Sequence, residues 1–333
     1  MELETLLALG VLQIDQLTAD INDLPFTPTR IRDMGLFEEQ GITTTVAMIG
    51  LDGSKLTLVP AVPRGAPSQP KALGPKSAKP FIVPHLPQRS TVMADQLQGA
   101  RSFGANGASE YESAAERVTA LNVVHRRDLD FTIEYHRLGA IKGTILDADG
   151  SEIFDLYDEF AVTQPTEAFA LATATTKVLT KTMSAKRKIE AALGGIRPRG
   201  FHAFVGSEWL DKFVEHENVI RAYERYQEGA KLRSDNRSGF EFGGVVFEEY
   251  QGSHDGSNLI APTEGFMFPI GVPGMFITRF APADYVETVN TVGLPYYSKA
   301  QPMDFGKGIQ LESQSNPLNL NTRPAAVVKL TTN

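Results

Sequence analysis

Residues 60–87 read PAVPRGAPSQPKALGPKSAKPFIVPHLP and hold eight of the chain's 20 prolines: Pro60, Pro63, Pro67, Pro70, Pro75, Pro80, Pro84 and Pro87. Each proline fixes its own φ and removes a backbone donor. Each also pushes the residue before it toward extended geometry. The spacing therefore predicts neither helix nor central strand. A structureless stretch of this length inside a folded chain is usually functional or a linker. Its charge is one-sided. Between Asp52 and Asp95 there is no acidic residue, while Lys55, Arg64, Lys71, Lys76, Lys79 and Arg89 make the window +6. The whole chain carries −8, so everything outside the window sums to −14. An extended basic arm on an acidic body is expected to lie on the acidic surface of another copy, and these six cations are the candidate intersubunit contacts.

The arm grows out of a strand pattern. Thr43–Ile49 and Lys55–Val59 are rich in β-branched residues, and Asp52-Gly53 between them is a hairpin signal. Two strands alone are marginal in water, so the arm needs a surface to rest on. Upstream, Ile14, Leu17 and Ile21 recur at helical spacing, and Pro25 and Pro28 end the pattern. Downstream, Thr91–Gln98 reads as a short helix. Glu110–Arg137 reads as a long one, with Ser109 as N-cap and Gly139 as stop. On that helix Val118, Leu121, His125 and Leu129 share one stripe, and Arg126, Arg127 and Asp130 are expected on the solvated face. Its length of ~40 Å at 1.5 Å per residue would make it a structural beam.

The remainder mixes hairpins and helices. A hairpin turns at Asp149-Gly150. A helix over Thr175–Leu193 stops at Gly194, with Lys186, Arg187 and Lys188 in it. Phe201–Val205 is a buried strand, Ser207 caps a helix reaching about Gln227, and strands run through 242–268 and 309–330. Unevenly distributed helices and hairpin-linked strands indicate an α+β class.

At 333 residues, with 42% hydrophobic and 22% charged content, the chain can bury a core split over two lobes. Zero cysteine excludes disulfides and thiolate metal sites and fits a cytosolic protein. No apolar run approaches the ~20 residues of a membrane span. The acidic balance argues against general nucleic-acid affinity.

Constellations that could carry chemistry have simpler readings. Asp147, Asp149, Gly150 and Glu152 have their glycine in the wrong place for a calcium loop and read as a turn. Gly74-Pro75-Lys76-Ser77 lacks the strand and the earlier glycine of a phosphate loop. Ser207 is followed by Glu208-Trp209, not by the glycine of a nucleophile elbow. Glu215, His216 and Glu217 read as a solvated helix face. No catalytic, cofactor-binding or metal residues are expected, and the chain is not expected to be an enzyme.

Two segments carry a family resemblance. Residues 281–299 read APADYVETVNTVGLPYYSK and residues 307–330 read KGIQLESQSNPLNLNTRPAAVVKL. In Ala281, Pro282, Asn290, Gly293, Pro295, Tyr297, Gln314-Ser315-Asn316-Pro317-Leu318 and Arg323-Pro324 they resemble the lambda-like phage major capsid protein E family. Asp95-Gln96 and Arg101-Ser102-Phe103-Gly104 resemble the family segment ahead of the long helix, and the element order agrees over essentially the whole chain.

The resemblance implies the tailed-phage capsid fold (Hong Kong ninety-seven type). Residues 1–40 would be an N-terminal arm, 41–90 an extended loop, 91–174 with 291–333 a peripheral domain containing a spine helix over about 110–137, and 175–290 an axial domain. The implied partners are other copies in pentamers and hexamers, scaffolding and portal proteins, a decoration protein, and packaged double-stranded DNA held non-specifically. The implied location is the virion capsid, assembled in the host cytoplasm. No long charged helical prefix precedes the arm, so no fused scaffolding segment is expected. The competing readings are an encapsulin-like protein compartment, a soluble hydrolase using Ser207 or the histidines, and a nucleic-acid-binding module over 55–89. Phe81 is that module's only aromatic, so stacking platforms are missing.

Overall fold

The computed structural model describes residues 14–24, 29–50, 78–97, 101–103, 109–111, 114–224, 237, 239–254 and 256–333. Helix α1 (Ile14–Asp23) and a single turn α2 (Arg30–Asp33) lead into strands β1 (Glu38–Gly41), β2 (Val46–Gly50), β3 (Ala78–Ile82) and β4 (Leu86–Met93), and then into the long helix α3 (Ala114–Lys142). After it come β5 (Thr144–Leu146), β6 (Glu152–Asp155), β7 (Thr166–Ala168), α4 (Val178–Leu193), β8 (Gly200–Val205), α5 (Ser207–Val214), α6 (Glu217–Glu224), β9 (Phe240–Phe242), β10 (Val245–Glu249) and β11 (Glu264–Ile270). The chain ends through β12 (Phe276–Phe280), β13 (Tyr297–Pro302), β14 (Gly308–Ser315), β15 (Pro317–Asn321) and β16 (Val328–Thr331).

Two compact units divide the chain. The first comprises 1–48, 80–134 and 277–319; the second comprises 49–79, 135–276 and 320–333. This division and the four parts implied by the resemblance cut the sequence at different places.

In the first unit, β13, β14 and β4 form an antiparallel sheet with β14 in the middle. Both outer strands contain a proline, Pro302 in β13 and Pro87 in β4, and the middle strand has none. Proline is tolerated at sheet edges because its missing donor costs no ladder bond there. That corrects the expectation for residues 78–87, which form strand despite Pro80 and Pro87. Leu17, Val92, Val118, Ala300, Ile309 and Leu311 make one apolar core, bringing α1 and α3 onto this sheet.

The expected helix over Thr91–Gln98 shrinks to Ala94–Leu97. Residues Leu86–Met93 pair with β14 along their whole length, and that pairing overrides local propensity. The expected β2 hairpin is also different. The described partner of β2 is β3, not a strand after Asp52-Gly53, and Lys55–Val59 lies outside the described residues.

The second unit is built on a six-stranded mixed sheet in the order β9-β10-β8-β11-β16-β7. β8 runs parallel to β10 and antiparallel to β11, and β16 runs parallel to β7. Trp209 and Phe213 of α5 stack with Phe247 of β10 and pack against Phe169, all fully buried. Burying such large aromatic area gives this unit its own core. Gly194 stops α4 in the left-handed conformation (φ 63°), as its position in the sequence predicts.

The helix expected from Ser207 to about Gln227 is two helices, with Gly206 as the first cap. The break is made by His216, which is buried. Its Nε2 contacts the Thr173 carbonyl (3.1 Å), and its Nδ1 accepts from the Asn218 N–H (3.2 Å) at the start of α6. It is therefore not part of a solvated face.

Helix α3, at 29 residues, begins later and ends later than its sequence suggests. Residues Ser109–Tyr111 pair with Arg101–Phe103 as short strands instead of opening the helix. Gly139 lies inside the helix, where an added Cβ would sit 2.9 Å from the Thr144 carbonyl oxygen, so this glycine admits the returning strand β5. The stop is Gly143, at φ 96° and packed flat against the Tyr157 ring.

Candidate assembly surface

Within the first unit, α3 is buried through polar side chains. Asn122, His125, Arg126, Asp130 and Glu134 are all nearly inaccessible. Three serines, one from each strand of the β13-β14-β4 sheet, meet the helix. Asn122 Oδ1 accepts from Ser298 (2.8 Å) and Ser313 (3.3 Å), while the His125 ring bridges Ser313 (2.9 Å) and Ser90 (2.7 Å). Burial lowers the His125 pKa.

One turn on, Asp130 collects an ion cluster. Arg126 Nε donates to it (3.2 Å), Arg32 Nη1 donates to it (3.1 Å), and the Tyr296 hydroxyl donates to it as well. The Arg126 guanidinium lies 3.7 Å from the centroid of the Tyr296 ring and donates to the Ile21 carbonyl. Burial first, and Asp130 second, push the Tyr296 hydroxyl up to about 12. Glu134 accepts from the Ile31 N–H (2.7 Å). Arg126 and Asp130 therefore belong to the interior, contrary to the solvated face expected of them. Buried charges persist only when paired and hydrogen-bonded, and here the partners come from α1, α2 and Tyr296, distant in sequence.

The residues that carried the family resemblance converge on a single joint in the same unit. Asn290 takes the left-handed conformation (φ 61°), which asparagine tolerates. Gly293 packs so closely that a Cβ would stand 2.0 Å from the Phe280 oxygen. The Tyr297 hydroxyl accepts from the Leu294 N–H (2.8 Å), and Ser315 donates to the Pro295 carbonyl (2.6 Å). Asn316 donates to the Pro282 carbonyl (2.8 Å) and its Oδ1 meets His85 (2.7 Å). These residues build a joint and perform no chemistry. Its outer rim exposes Val286, Val289, Val292 and Leu294.

The arm leaves and returns through the β2–β3 stem. Ala47, Ile49, Phe81 and Val83 face inward, while Val46, Met48 and Ile82 face solvent, Met48 at 63% and Ile82 at 72% exposure. Of the six candidate cations, Lys55, Arg64, Lys71 and Lys76 lie outside the described residues. Lys79 pairs with Glu159 and donates to its carbonyl (2.9 Å), and Arg89 pairs with Glu312 (2.6 Å). Both thus meet carboxylates of their own chain. The apolar outward face of the stem was missed by a reading that attended to charge; the alternation in Val46, Met48 and Ile82 was the available signal.

Other candidates settle into structural roles. The Asp149 side chain accepts from the Ser151 N–H (2.8 Å) and closes the β5–β6 turn. Lys188 pairs with buried Glu167 (2.7 Å), which also accepts from Ser184 (2.9 Å); Lys186 donates to the Gly243 carbonyl (3.2 Å). Ser207 borders an open polar depression of about 310 Å³ with Arg237, Glu249 and Tyr250, and no histidine lines it. Among the described residues no acid, histidine or cysteine cluster could hold a metal ion, and no helix is long and apolar enough to cross a membrane.

The family model for the phage major capsid protein E matches residues 13–332. The chain belongs to that family. It is 28% identical over 296 residues to the major capsid protein of Pseudomonas phage KPP10, covering 82% of this chain and 83% of that one. It is 24% identical over 351 residues to the major capsid protein of Salmonella phage Felix O1, covering 94% of each. Among solved structures, it superposes with a TM-score of 0.58 and 13% identity on a chain described as a prophage capsid protein from E. coli CFT073, covering 97% and 99%. The α+β tailed-phage capsid fold and the role of a major capsid protein in a phage head shell follow. The family assignment sets the compartment-shell reading aside and makes this a structural protein of the phage capsid.

Proposed function

We propose that copies of this subunit close into an icosahedral head around packaged double-stranded DNA, with residues 41–90 laid across a neighbouring copy. The observation that carries this is the stem. Met48 and Ile82 present apolar side chains to solvent at the base of a long excursion, an arrangement that gains free energy only when covered. Lys55, Arg64, Lys71 and Lys76, with Lys79 and Arg89, would then set register and encounter on the acidic body more than affinity. Residues 175–290 would meet at the centre of pentamers and hexamers, with 91–174 and 291–333 at their periphery.

The excess of −14 outside the arm would leave the inner face repelling the DNA, keeping the genome mobile and contacts non-specific. Scaffolding and portal proteins would direct closure in the host cytoplasm, and a decoration protein could bind outside. Electron microscopy of the expressed full chain tests the reading. Closed shells with residues 51–77 resting on the adjacent copy are expected. A monomer with those residues folded onto their own subunit would overturn it.

A further inference from the structure

The most exposed large apolar side chain among the described residues is Phe305, at 94%. It sits at the tip of the β13–β14 hairpin in the left-handed conformation (φ 61°, ψ 18°). A bulky residue there is a true outlier, a place where glycine or asparagine would be more comfortable. Exposure and strain both disfavour phenylalanine at this tip in an isolated subunit. Strain of this kind is held at sites where it serves a purpose.

The stem beneath the tip is fixed. The Met303 N–H donates to the Gly308 carbonyl (2.9 Å), and the Gly306 N–H donates to the Met303 carbonyl (3.1 Å). The Ala94 N–H donates to the Lys307 carbonyl (2.9 Å). Ala300, Ile309 and Leu311 sink into the core just below. The ring is therefore presented from a rigid base, which lowers the ordering cost of a contact.

The tip also carries its own complementary charges. Asp304 and Lys307 flank Phe305, both are exposed, and neither forms an ion pair within the chain. Lys307 Nζ lies 5.7 Å from the Phe305 ring centroid, which leaves the ring open to solvent. A surface reading acid, aromatic, glycine, base is self-complementary: when the same tip meets itself about a symmetry axis, Asp304 of one copy faces Lys307 of another.

We propose that the 304–307 tip is a homotypic contact between copies of this chain, with Phe305 as its buried anchor and Asp304–Lys307 pairs fixing register. The proposal rests on the self-assembly reading above, and its test separates the two. Full-length wild type, F305N, D304K, K307D and the D304K/K307D exchange are expressed, and subunit melting and shell yield by sedimentation and microscopy are compared. F305N, which suits the left-handed backbone, is expected to melt at or above the wild-type temperature. Its concentration for shell formation is expected to rise about tenfold, as for loss of an interface anchor. Each single charge reversal should impair assembly and the exchange should restore it. Shells from F305N at wild-type concentration would overturn the contact while leaving self-assembly intact. An exchange no better than the single reversals would show that the tip meets a different protein. Wild type that never sediments above a monomer would overturn self-assembly and this contact with it.

Discussion

Asp130 is the residue on which the first unit's interior charges depend. It receives Arg126, Arg32 and the Tyr296 hydroxyl at once, and the Asp130 and Arg126 side chains are 1% and 5% exposed. Removing the carboxylate would leave a guanidinium buried without its counter-charge. D130A should therefore lower stability by about 3 kcal/mol or more, the scale for breaking a buried pair, measured by urea unfolding at neutral pH. His136 makes a second residue-scale prediction. It is buried, its Nε2 has no hydrogen-bond partner, and burial lowers its pKa from 6.5 to about 4 against an opposing pull from Asp147. A depressed pKa means that the histidine supports the fold fully above 6.5 and ceases to do so as pH falls through about 4. The urea midpoint of the wild type should drop over that window, and H136Q should drop less. Equal losses in both would place the acid sensitivity elsewhere.

At the scale of elements, the stem strands separate folding from assembly. Met48 and Ile82 lie on the outward face, so serine at both positions removes no core contact. The double variant should keep the wild-type melting temperature within the few tenths of a kcal/mol typical of surface changes and yield far fewer shells on sedimentation. Undiminished shells would mean that the stem face stays uncovered. The elements also show what was legible in the sequence. The Gly194 stop of α4, the strand over Phe201–Val205 and the turn at Asp149-Gly150 could all be read locally, because each depends on neighbours in the chain. The ends of α3, the polarity of its buried face and the break at His216 could not. Gly139 answers to β5, Arg126 and Asp130 answer to α1, α2 and Tyr296, and His216 answers to Thr173; none of these partners is near in sequence. The assembly surface was half legible: charge is countable from composition, whereas the exposed side of β2–β3 appears only once the strand has a partner.

At the scale of the whole molecule, the opposed charge of arm and body makes ionic strength a lever. Screening shortens from ~10 Å at 0.1 M salt to ~3 Å at 1 M, while apolar docking of the stem is not weakened by salt. Shell yield should fall as salt rises toward 1 M, and fall further when Arg64, Lys71 and Lys76 are changed to glutamate. Indifference to both would assign arm docking to Val46, Met48 and Ile82 alone. The β13-β14-β4 sheet has a different consequence for a protein made in great numbers within one cell. Open strand edges are templates on which further chains can add without limit, giving fibres. With Pro302 on one flank and Pro87 on the other, that route is blunted at both ends, so recruitment of the next copy is left to side-chain surfaces whose geometry can curve and finish.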